Sequence, residues 1–193
     1  MKVLIIILIC FTVILILLTG AYAYFGGFKT ILFRVEEQGG ETLVYEEMTG
    51  DYAQTPKVQN KLYEALLNDE KIATTKGFGI YFDNPKEVEK SKLRSEVGCI
   101  VEGLDSVAIA KLAEKYKVKT LPKSNCIVTE FPYKGMMSVF IGIMKVYPAF
   151  EKYSVQNGLG KSPMMEIYDM QDKLIVYRCE KLKIEIENIR KIK

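Results

Sequence analysis

The sequence contains no histidine among its 193 residues. This absence excludes Ser-His-Asp and Cys-His nucleophile systems, and it excludes zinc sites that depend on histidine ligands. The glycine-rich phosphate-binding motifs and the EF-hand calcium loop are also missing. Any chemistry must therefore be carried by carboxylates, tyrosines or lysines, and we expect neither a metal ion nor a cofactor.

Cysteine and net charge are also limited. Four cysteines occur without a CxxC pair, which argues against a zinc knuckle or a thioredoxin-like motif. Cys99 and Cys126 lie in apolar segments and are predicted to be small core residues. Lysine and arginine outnumber aspartate and glutamate by only 27 to 24. A nucleic-acid-binding domain would show a basic patch or stripe, so we expect no nucleic acid partner.

The N-terminal segment differs from the rest of the chain. Residues 3–19 contain no charged residue, and the apolar character continues to about Phe25. This length approaches the roughly 20 apolar residues that cross a bilayer. We therefore predict a single-pass membrane protein in which a transmembrane helix through residues 3–25 contacts the lipid bilayer. Residues 1–27 then form the anchor and juxtamembrane segment, and residues 28–193 form one globular domain.

A cleaved signal peptide is the alternative interpretation of this segment. Ala21-Tyr22-Ala23 provides the small-x-small pattern of a cleavage site, which would remove residues 1–23. The apolar run is longer than that of a typical signal peptide, so an uncleaved anchor is favoured. Lys2 precedes the span, whereas acidic residues soon offset the basic residues that follow it. The positive-inside rule then favours the domain on the non-cytoplasmic side.

The domain contains an internal repeat. Val44-Tyr45-Glu46 aligns with Val128-Thr129-Glu130, and the same offset of 84 residues places residues 61–66 on residues 145–150. The second pair shares the pattern Lys, aliphatic, Tyr, any residue, Ala and a large apolar residue. This repeat predicts two strand-helix-strand-strand units related by a pseudo-two-fold axis, with halves at about residues 41–103 and 125–183.

The fold class follows from this repeat. We predict an α+β domain, a mainly antiparallel sheet with helices on one face, preceded by one transmembrane helix. Strand patterns occur at 30–36, 41–48, 79–83, 95–101, 125–131, 166–169, 174–179 and 181–189, and helical patterns at 56–68, 105–116 and 136–153. The first two strands are predicted to form a hairpin, because Gln38-Gly39-Gly40-Glu41 has the composition of a tight turn.

Two such units leave a groove between them, and ligands bind preferentially in concave junctions with apolar walls. With a short insertion, Gly79-Ile80-Tyr81 aligns with Glu166-Ile167-Tyr168, so Tyr81 and Tyr168 occupy the same place in both halves. The predicted ligand-binding residues are Glu166, Tyr168, Tyr81, Phe82, Tyr133, Phe131 and Tyr45. Tyr147 also qualifies as a lining residue, but it matches Tyr63 on the first helix, and both are predicted to be core residues.

Glu166 is the most informative polar residue, because the strand around it, Pro163-Met164-Met165-Glu166-Ile167-Tyr168, is otherwise apolar. The simpler alternative is a solvent-facing side chain. In the functional interpretation, the carboxylate holds a cationic or hydrogen-bond-donating ligand, and nearby aromatic rings add cation–π attraction. Burial would raise its pKa, so Glu166 could also serve as a general acid or base.

Five segments carry a resemblance to a known family. They are Gly50-Asp51-Tyr52, Gly79-Ile80-Tyr81-Phe82-Asp83-Asn84-Pro85, Arg94-Ser95-Glu96-Val97-Gly98, Pro132-Tyr133-Lys134-Gly135 and Pro163 to Asp169. Their order and spacing resemble the GyrI-like effector-binding domain over roughly residues 30–185, and the membrane-anchored branch of that family most of all. The resemblance implies a duplicated strand-helix-strand-strand fold with a small-molecule pocket between the repeats. In several members a strand glutamate and aromatic residues hold lipophilic cations, and Glu166 with Tyr168 matches that place.

The favoured function is a membrane-anchored module that binds a small amphipathic or cationic molecule without catalysis. One alternative is a hydrolase in the same pocket, since some family members are hydrolases, with Glu166 activating water and Tyr81 or Tyr168 orienting the substrate. The other alternative is a membrane-tethered protein-interaction or scaffold module. Its groove would be packed shut, with no accessible cavity beside Glu166.

Overall fold

The computed structural model describes residues 2–182, and its first element is one long apolar helix, α1 (Lys2–Tyr24). At 1.5 Å per residue, its 23 residues extend about 34 Å, enough to cross a hydrocarbon core of about 30 Å. No residue of α1 is buried against the domain. Among the described residues, α1 is the one helix that is long and apolar enough to span a membrane, a test that a signal sequence also passes.

The remainder of residues 2–182 forms an α+β domain of eight strands and three further α-helices. The strands are β1 (Arg34–Gln38), β2 (Thr42–Thr49), β3 (Lys76–Tyr81), β4 (Arg94–Val101), β5 (Lys117–Thr120), β6 (Ser124–Pro132), β7 (Met164–Asp169) and β8 (Leu174–Glu180). The helices are α2 (Thr55–Asn68), α3 (Ser106–Ala113) and α4 (Met136–Gln156).

The strands form one sheet in the order β1-β6-β8-β7-β3-β4-β2-β5, and every neighbouring pair is antiparallel. The unit β2-α2-β3-β4 is repeated as β6-α4-β7-β8. Each unit contributes three adjacent strands, and the two sets meet at the β3–β7 pair. The predicted α+β fold with a duplicated strand-helix-strand-strand unit is therefore confirmed.

The predicted hairpin between the first two strands is wrong. β1 pairs with β6 of the second unit, whereas β2 pairs with β4 and β5. The Gly39-Gly40 segment instead connects β1 to β2 without pairing them, and Gly40 N–H donates to the Leu121 carbonyl at 2.8 Å. Gly39 is required here, because its φ is +121° and a Cβ atom would lie 2.2 Å from the Pro122 carbonyl oxygen.

The observed helix starts follow from local sequence. Pro56 lies in the first turn of α2, where its missing N–H costs no hydrogen bond. Asp105 caps α3, because its carboxylate accepts the Ala108 N–H at 2.8 Å. α4 runs through Pro148 to Gln156.

The predicted closing strand is not seen at residues 181 and 182, and its residues 183–189 lie outside the described residues.

Side chains on the two faces of the sheet build separate parts of the core. α4 covers one cluster that includes Phe131 and Tyr177, and α2 and α3 cover another that includes Val44 and Cys99. A third cluster, with Phe78 and Ile167, fills the opposite face. Because α2 and α4 lie on the same face over different halves, the central β3–β7 pair lies between them.

Candidate functional site

The register of β3 and β7 places Glu166 at the centre of the domain. Gly79 pairs directly with Glu166, and these two residues are also the equivalent positions of the two halves in the sequence alignment. The pseudo-two-fold axis therefore passes between them. A glutamate at both positions would oppose two carboxylates at Cβ separations of about 5 Å, which like charges disfavour. Because one half has Gly79 where the other half has Glu166, a single carboxylate lies on the axis.

Two tyrosine hydroxyls hold the Glu166 carboxylate. Tyr147 of α4 donates to Oε1 at 2.7 Å, and Tyr168 of the same strand donates to Oε2. The side chain is 1% exposed, so the solvent-facing alternative for Glu166 is excluded. The strand alternation of β7 directs Glu166 and Tyr168 to the face that α4 covers.

Burial dominates the protonation of this cluster. It raises the pKa of Glu166, although the hydrogen bonds from Tyr168 and Tyr147 lower it in part. Burial, followed by the charge of Glu166, raises the pKa of Tyr147 and of Tyr168 well above the ordinary range. Both phenols therefore stay protonated at neutral pH and remain hydrogen-bond donors to the carboxylate.

The first half of the domain contributes Tyr81 to the same place. Its ring contacts Tyr52 edge-on at 4.8 Å between centroids, and its hydroxyl lies 3.4 Å from Thr55 Oγ1. Gly79 makes this position possible, because a Cβ atom there would lie 2.7 Å from the Tyr81 hydroxyl. Burial, and then the charge of Glu166, raises the pKa of Tyr81.

Tyr177 of β8 lies on the other side of Glu166. The two residues are cross-strand partners, and the Tyr177 ring contacts Tyr147 edge-on at 6.3 Å. Gly142 of α4 leaves room for the Tyr177 hydroxyl, since a Cβ atom would lie 2.6 Å from it. Within the described residues this hydroxyl is buried without a hydrogen-bond partner. Leaving such a group without a partner costs about 1–3 kcal/mol.

The other sequence-predicted residues divide into two groups. Phe131 is fully buried in the core beneath α4, and Tyr133 contacts Tyr168 at 6.3 Å between ring centroids. Tyr45 packs on the opposite face of the sheet, with Lys119 Nζ 4.7 Å from its ring centroid. Phe82 follows Tyr81 in extended chain, so its exposed side chain points away from the Tyr81 face.

Tyr147 and Tyr177 are the residues that the sequence interpretation missed in this role. Tyr63 and Tyr147 are both predicted to be core residues. Tyr63 is 38% exposed, whereas Tyr147 packs against the core cluster beneath α4 and also donates to Glu166. The repeat aligned these two helix positions correctly and gave no information on their different environments. For Tyr177, the alternation of the predicted strand 174–179 places it on the same face as Ile175.

A surface cavity of about 440 Å³ lies elsewhere, beside the Gly39–Thr42 segment and the end of β4. None of the sequence-predicted site residues lines it. Its wall contains three glycines and the charged side chains of Glu41, Glu102 and Lys123. We place the candidate site at Glu166, because the buried charge and its convergent hydroxyls are there.

Comparison with known proteins supports the fold. No protein-family model matches the sequence. The chain is 30% identical over 167 residues to Testis-expressed protein 264 of Homo sapiens, and 29% identical over 162 residues to its homolog of Mus musculus. These alignments cover 80% and 78% of this chain. The chain spans about half the length of these curated relatives, 51% and 50%.

Solved structures show the same architecture at low sequence identity. The EcmrR C-terminal domain matches with a TM-score of 0.57 at 13% identity, covering 80% of this chain and 99% of that domain. SAV2435 bound to tetraphenylphosphonium matches with a TM-score of 0.53 at 19% identity, covering 82% and 98%. EcmrR in a complex with DNA matches at 0.53 and 12%, covering 86% and 64%. The described domain thus shares its α+β fold with the EcmrR C-terminal domain and SAV2435, which are GyrI-like effector-binding domains.

Proposed function

We propose that this chain is a membrane-anchored module that binds a small amphipathic or cationic molecule at Glu166. The observation that carries the proposal is a fully buried carboxylate on the pseudo-two-fold axis, surrounded by tyrosines from both halves. α1 provides the membrane anchor, and the domain lies on the non-cytoplasmic side. The proposed contacts are Glu166, Tyr168, Tyr81 and Tyr133, with Phe131 beneath them and Tyr147 and Tyr177 added.

The chemistry of the site favours a cation. Burial makes the ionised form of Glu166 unfavourable, and a bound cation would compensate that charge in a low-dielectric environment. A cation that also lay over the face of one of the surrounding tyrosine rings would gain cation–π attraction, which reaches about 2 kcal/mol when the cation is desolvated. The unpaired Tyr177 hydroxyl offers one further polar contact to such a molecule.

Access to Glu166 requires movement of a side chain. The carboxylate is 1% exposed, and Tyr147 closes it from the α4 side through its hydrogen bond. We therefore propose that Tyr147 is the gate: its hydroxyl leaves Glu166 when the ligand enters. Opening breaks the hydrogen bond from Tyr147 to Glu166. The site therefore favours ligands whose positive charge compensates the Glu166 carboxylate for that loss.

One solved structure of the same fold contains a ligand of this chemical class. SAV2435 has the same fold and is bound to tetraphenylphosphonium, which is a lipophilic cation. That likeness shows the fold alone, so the ligand class rests on Glu166 and its tyrosines. The expectation that nucleic acid is not a partner stays a prediction.

The test is a titration of the full chain in lipid nanodiscs with tetraphenylphosphonium, followed by tyrosine fluorescence. Empty nanodiscs correct for partition of the cation into lipid. We expect saturable binding that Glu166→Gln weakens at least tenfold, since the loss of a buried charge pair costs about 2–5 kcal/mol. Glu64→Gln, at an exposed position of α2, is the matched control and should bind as wild type does. Equal binding by Glu166→Gln and wild type would refute the proposal.

The burial of Glu166 also supports a second candidate function, a protein-interaction or scaffold module. A carboxylate with 1% exposure is also what a protein-interaction module with a packed groove would contain. Such a module predicts no saturable binding by any cation or neutral amphiphile in the same titration. A third candidate, a hydrolase, rests on the raised pKa of Glu166, which suits a general base. Analysis of the bound compound for products that depend on Glu166 separates it from a binder.

A further inference from the structure

α4 presents an apolar stripe to the outside of the domain. The stripe consists of Met136, Met137, Phe140, Ile143 and Met144, and each of these side chains is between 41% and 68% exposed. Their spacing of i, i+1, i+4, i+7 and i+8 places them on one helix face. The other face of α4 carries the buried Ser138, Ile141, Gly142 and Val146. The helix is therefore apolar on both sides over its first three turns.

The stripe has a defined end. Glu151 and Lys152 are exposed on the later turns of α4, beyond Pro148. Methionine side chains are flexible and polarizable, and they adapt to irregular apolar surroundings. A contiguous exposed patch of this kind on a globular domain is typical of an interaction surface with a protein or a membrane.

Contacts with the end of α1 place this stripe beside the membrane exit. Lys134, just before α4, holds its Nζ 4.2 Å from the ring centroid of Tyr24. Lys145, in the third turn, donates to the Gly27 carbonyl. Lys134 precedes Met136, the first residue of α4, and Lys145 lies nine positions after Met136, which is about 14 Å along the helix. The first half of α4 therefore lies across the point where α1 ends.

The chain around that point is fixed rather than linked by a free tether. Gly26 is buried, and a Cβ atom on it would lie 2.8 Å from Pro132 Cγ and 2.9 Å from Phe131 Cζ. The Tyr22 ring contacts Phe28 edge-on at 5.1 Å. Because α1 is joined to the domain by packed contacts, the distance between α4 and the bilayer surface is short.

We infer that the apolar stripe of α4 is inserted into the interface of the same bilayer that α1 spans. This inference rests on the anchor in the proposed function. Amphipathic helices at membrane surfaces bury their apolar face about 5–10 Å into the boundary of headgroups and acyl chains. Lys134 and Lys145 hold this part of the domain against Tyr24 and Gly27, so the stripe stays close to the point where α1 leaves the bilayer. Tyr147, one turn beyond Ile143, then opens at the membrane surface, so that amphipathic ligands enter from the lipid.

The experiment uses the absence of tryptophan from the chain. Phe140→Trp in the full chain introduces a single reporter at an exposed position of the stripe. The protein is reconstituted in phosphatidylcholine vesicles whose acyl chains carry bromine atoms near the headgroup, which quench tryptophan on contact. Tyr63→Trp, an exposed aromatic position on α2, is the matched control. Leu15→Trp reports on α1, in vesicles brominated near the ends of the acyl chains.

We expect Phe140→Trp to lose on the order of half its emission in the brominated vesicles, as for a side chain within about 10 Å of the surface. Tyr63→Trp should keep its emission, and Leu15→Trp should be quenched. The inference is overturned if Phe140→Trp is as unaffected as Tyr63→Trp while aqueous acrylamide quenches it. Protection of Phe140→Trp from both quenchers would also overturn it, because a second protein would then cover the stripe. If Leu15→Trp is not quenched, α1 does not span the bilayer, and it is the proposed membrane anchor that is refuted.

Discussion

At the scale of single residues, Glu166 connects stability with ligand binding. Burial raises its pKa in the folded protein. An acid with a higher pKa in the folded than in the unfolded state binds more protons when folded, so the free energy of unfolding falls as the pH rises between the two pKa values. The ionised carboxylate that a cation needs is therefore the form that the folded protein disfavours.

Glu166→Gln should remove this pH dependence. The amide oxygen still accepts one tyrosine hydroxyl, and no charge is buried, so we expect the variant to be more stable than wild type at neutral pH, by about 0.5–2 kcal/mol. The advantage should shrink as the pH falls from the raised folded-state pKa of Glu166 towards the ordinary pKa of glutamate. Urea unfolding of both proteins across this range measures the difference. An advantage that is constant with pH would contradict the role assigned to burial.

Gly79→Ala tests the close contact on the pseudo-two-fold axis. The added methyl group would lie 2.7 Å from the Tyr81 hydroxyl and 2.8 Å from its ring carbon. Because Tyr81 is packed against Tyr52, its displacement should cost about 1–3 kcal/mol of stability. Gly160→Ala is the control, since nothing lies closer than 3.6 Å to its Cβ position, and it should not destabilise. Denaturant midpoints compare the two, and equal midpoints would show that Tyr81 can move freely.

The sequence was sufficient to predict part of this site. The repeat identified Tyr81 and Tyr168 as equivalent, and the apolar strand made Glu166 conspicuous. Tyr45 was grouped with them on aromatic character alone, and its place on the opposite face depends on the register of β2 in the sheet. Tyr147 could not be assigned, because a helix pattern gives the face of a residue and not the partner that lies across from it.

At the scale of secondary-structure elements, the connection between β1 and β2 is tied to the sheet by a buried ion pair. Arg178 of β8 is 3% exposed, and its guanidinium donates to Glu41 at 2.6 and 3.0 Å and to Gln38 at 2.9 Å. Burial alone would raise the pKa of Glu41, but the hydrogen bond and charge of Arg178 lower it overall. Its stabilising contribution is present above the unfolded-state pKa and is lost as the pH falls through the folded-state pKa.

Glu41→Gln should therefore leave the buried guanidinium without its counter-charge. We expect a loss of about 2–4 kcal/mol, because removal of one partner from a buried pair leaves an uncompensated charge. Glu102→Gln breaks an ion pair with Lys76 in which the glutamate is 61% exposed, and it should change stability by less than about 1 kcal/mol. Urea unfolding at neutral pH measures both. Similar losses in the two variants would contradict the importance of burial.

The connection between β1 and β2 also shows a limit of sequence patterns, which locate strands but do not predict which distant strands pair. Alternation located most of the strands, and the repeat predicted which of them belong together. The hairpin failed because β1 finds its partner in β6, about 90 residues later in the chain, through a pairing that local turn composition does not encode. β5 was missed because its four residues, Lys117–Thr120, include two lysines and too few positions to show a pattern.

At the scale of the whole molecule, the end of α1, α4 and the candidate site lie close together. Tyr24 and Gly27 contact residues that flank the first half of α4, and Tyr147 of the same helix closes Glu166. Cleavage after Ala23 would remove nearly all of α1. The packed segment around Gly26 would remain attached to the domain. Function at a membrane therefore depends on whether residues 1–23 are retained.

Ala23→Leu tests retention in cells that produce the full chain. Signal peptidase requires small residues at the cleavage site, so this substitution blocks cleavage there and leaves an uncleaved anchor unchanged. We expect wild type and Ala23→Leu to have the same apparent mass apart from the substitution. Both should remain in the membrane pellet after alkaline extraction, because about 20 apolar residues hold a helix in the bilayer.

A cleaved signal peptide would give a different result in the same experiment. If residues 1–23 were a signal peptide, wild type would be shorter by that segment and would be released by alkaline extraction, whereas Ala23→Leu would stay in the pellet at full length. Protease added to sealed vesicles then determines the side. Protection of the domain from protease on the cytoplasmic side agrees with the charge of Lys2 before the span, and digestion would place the Glu166 site in the cytoplasm, where positive-inside topology disfavours it.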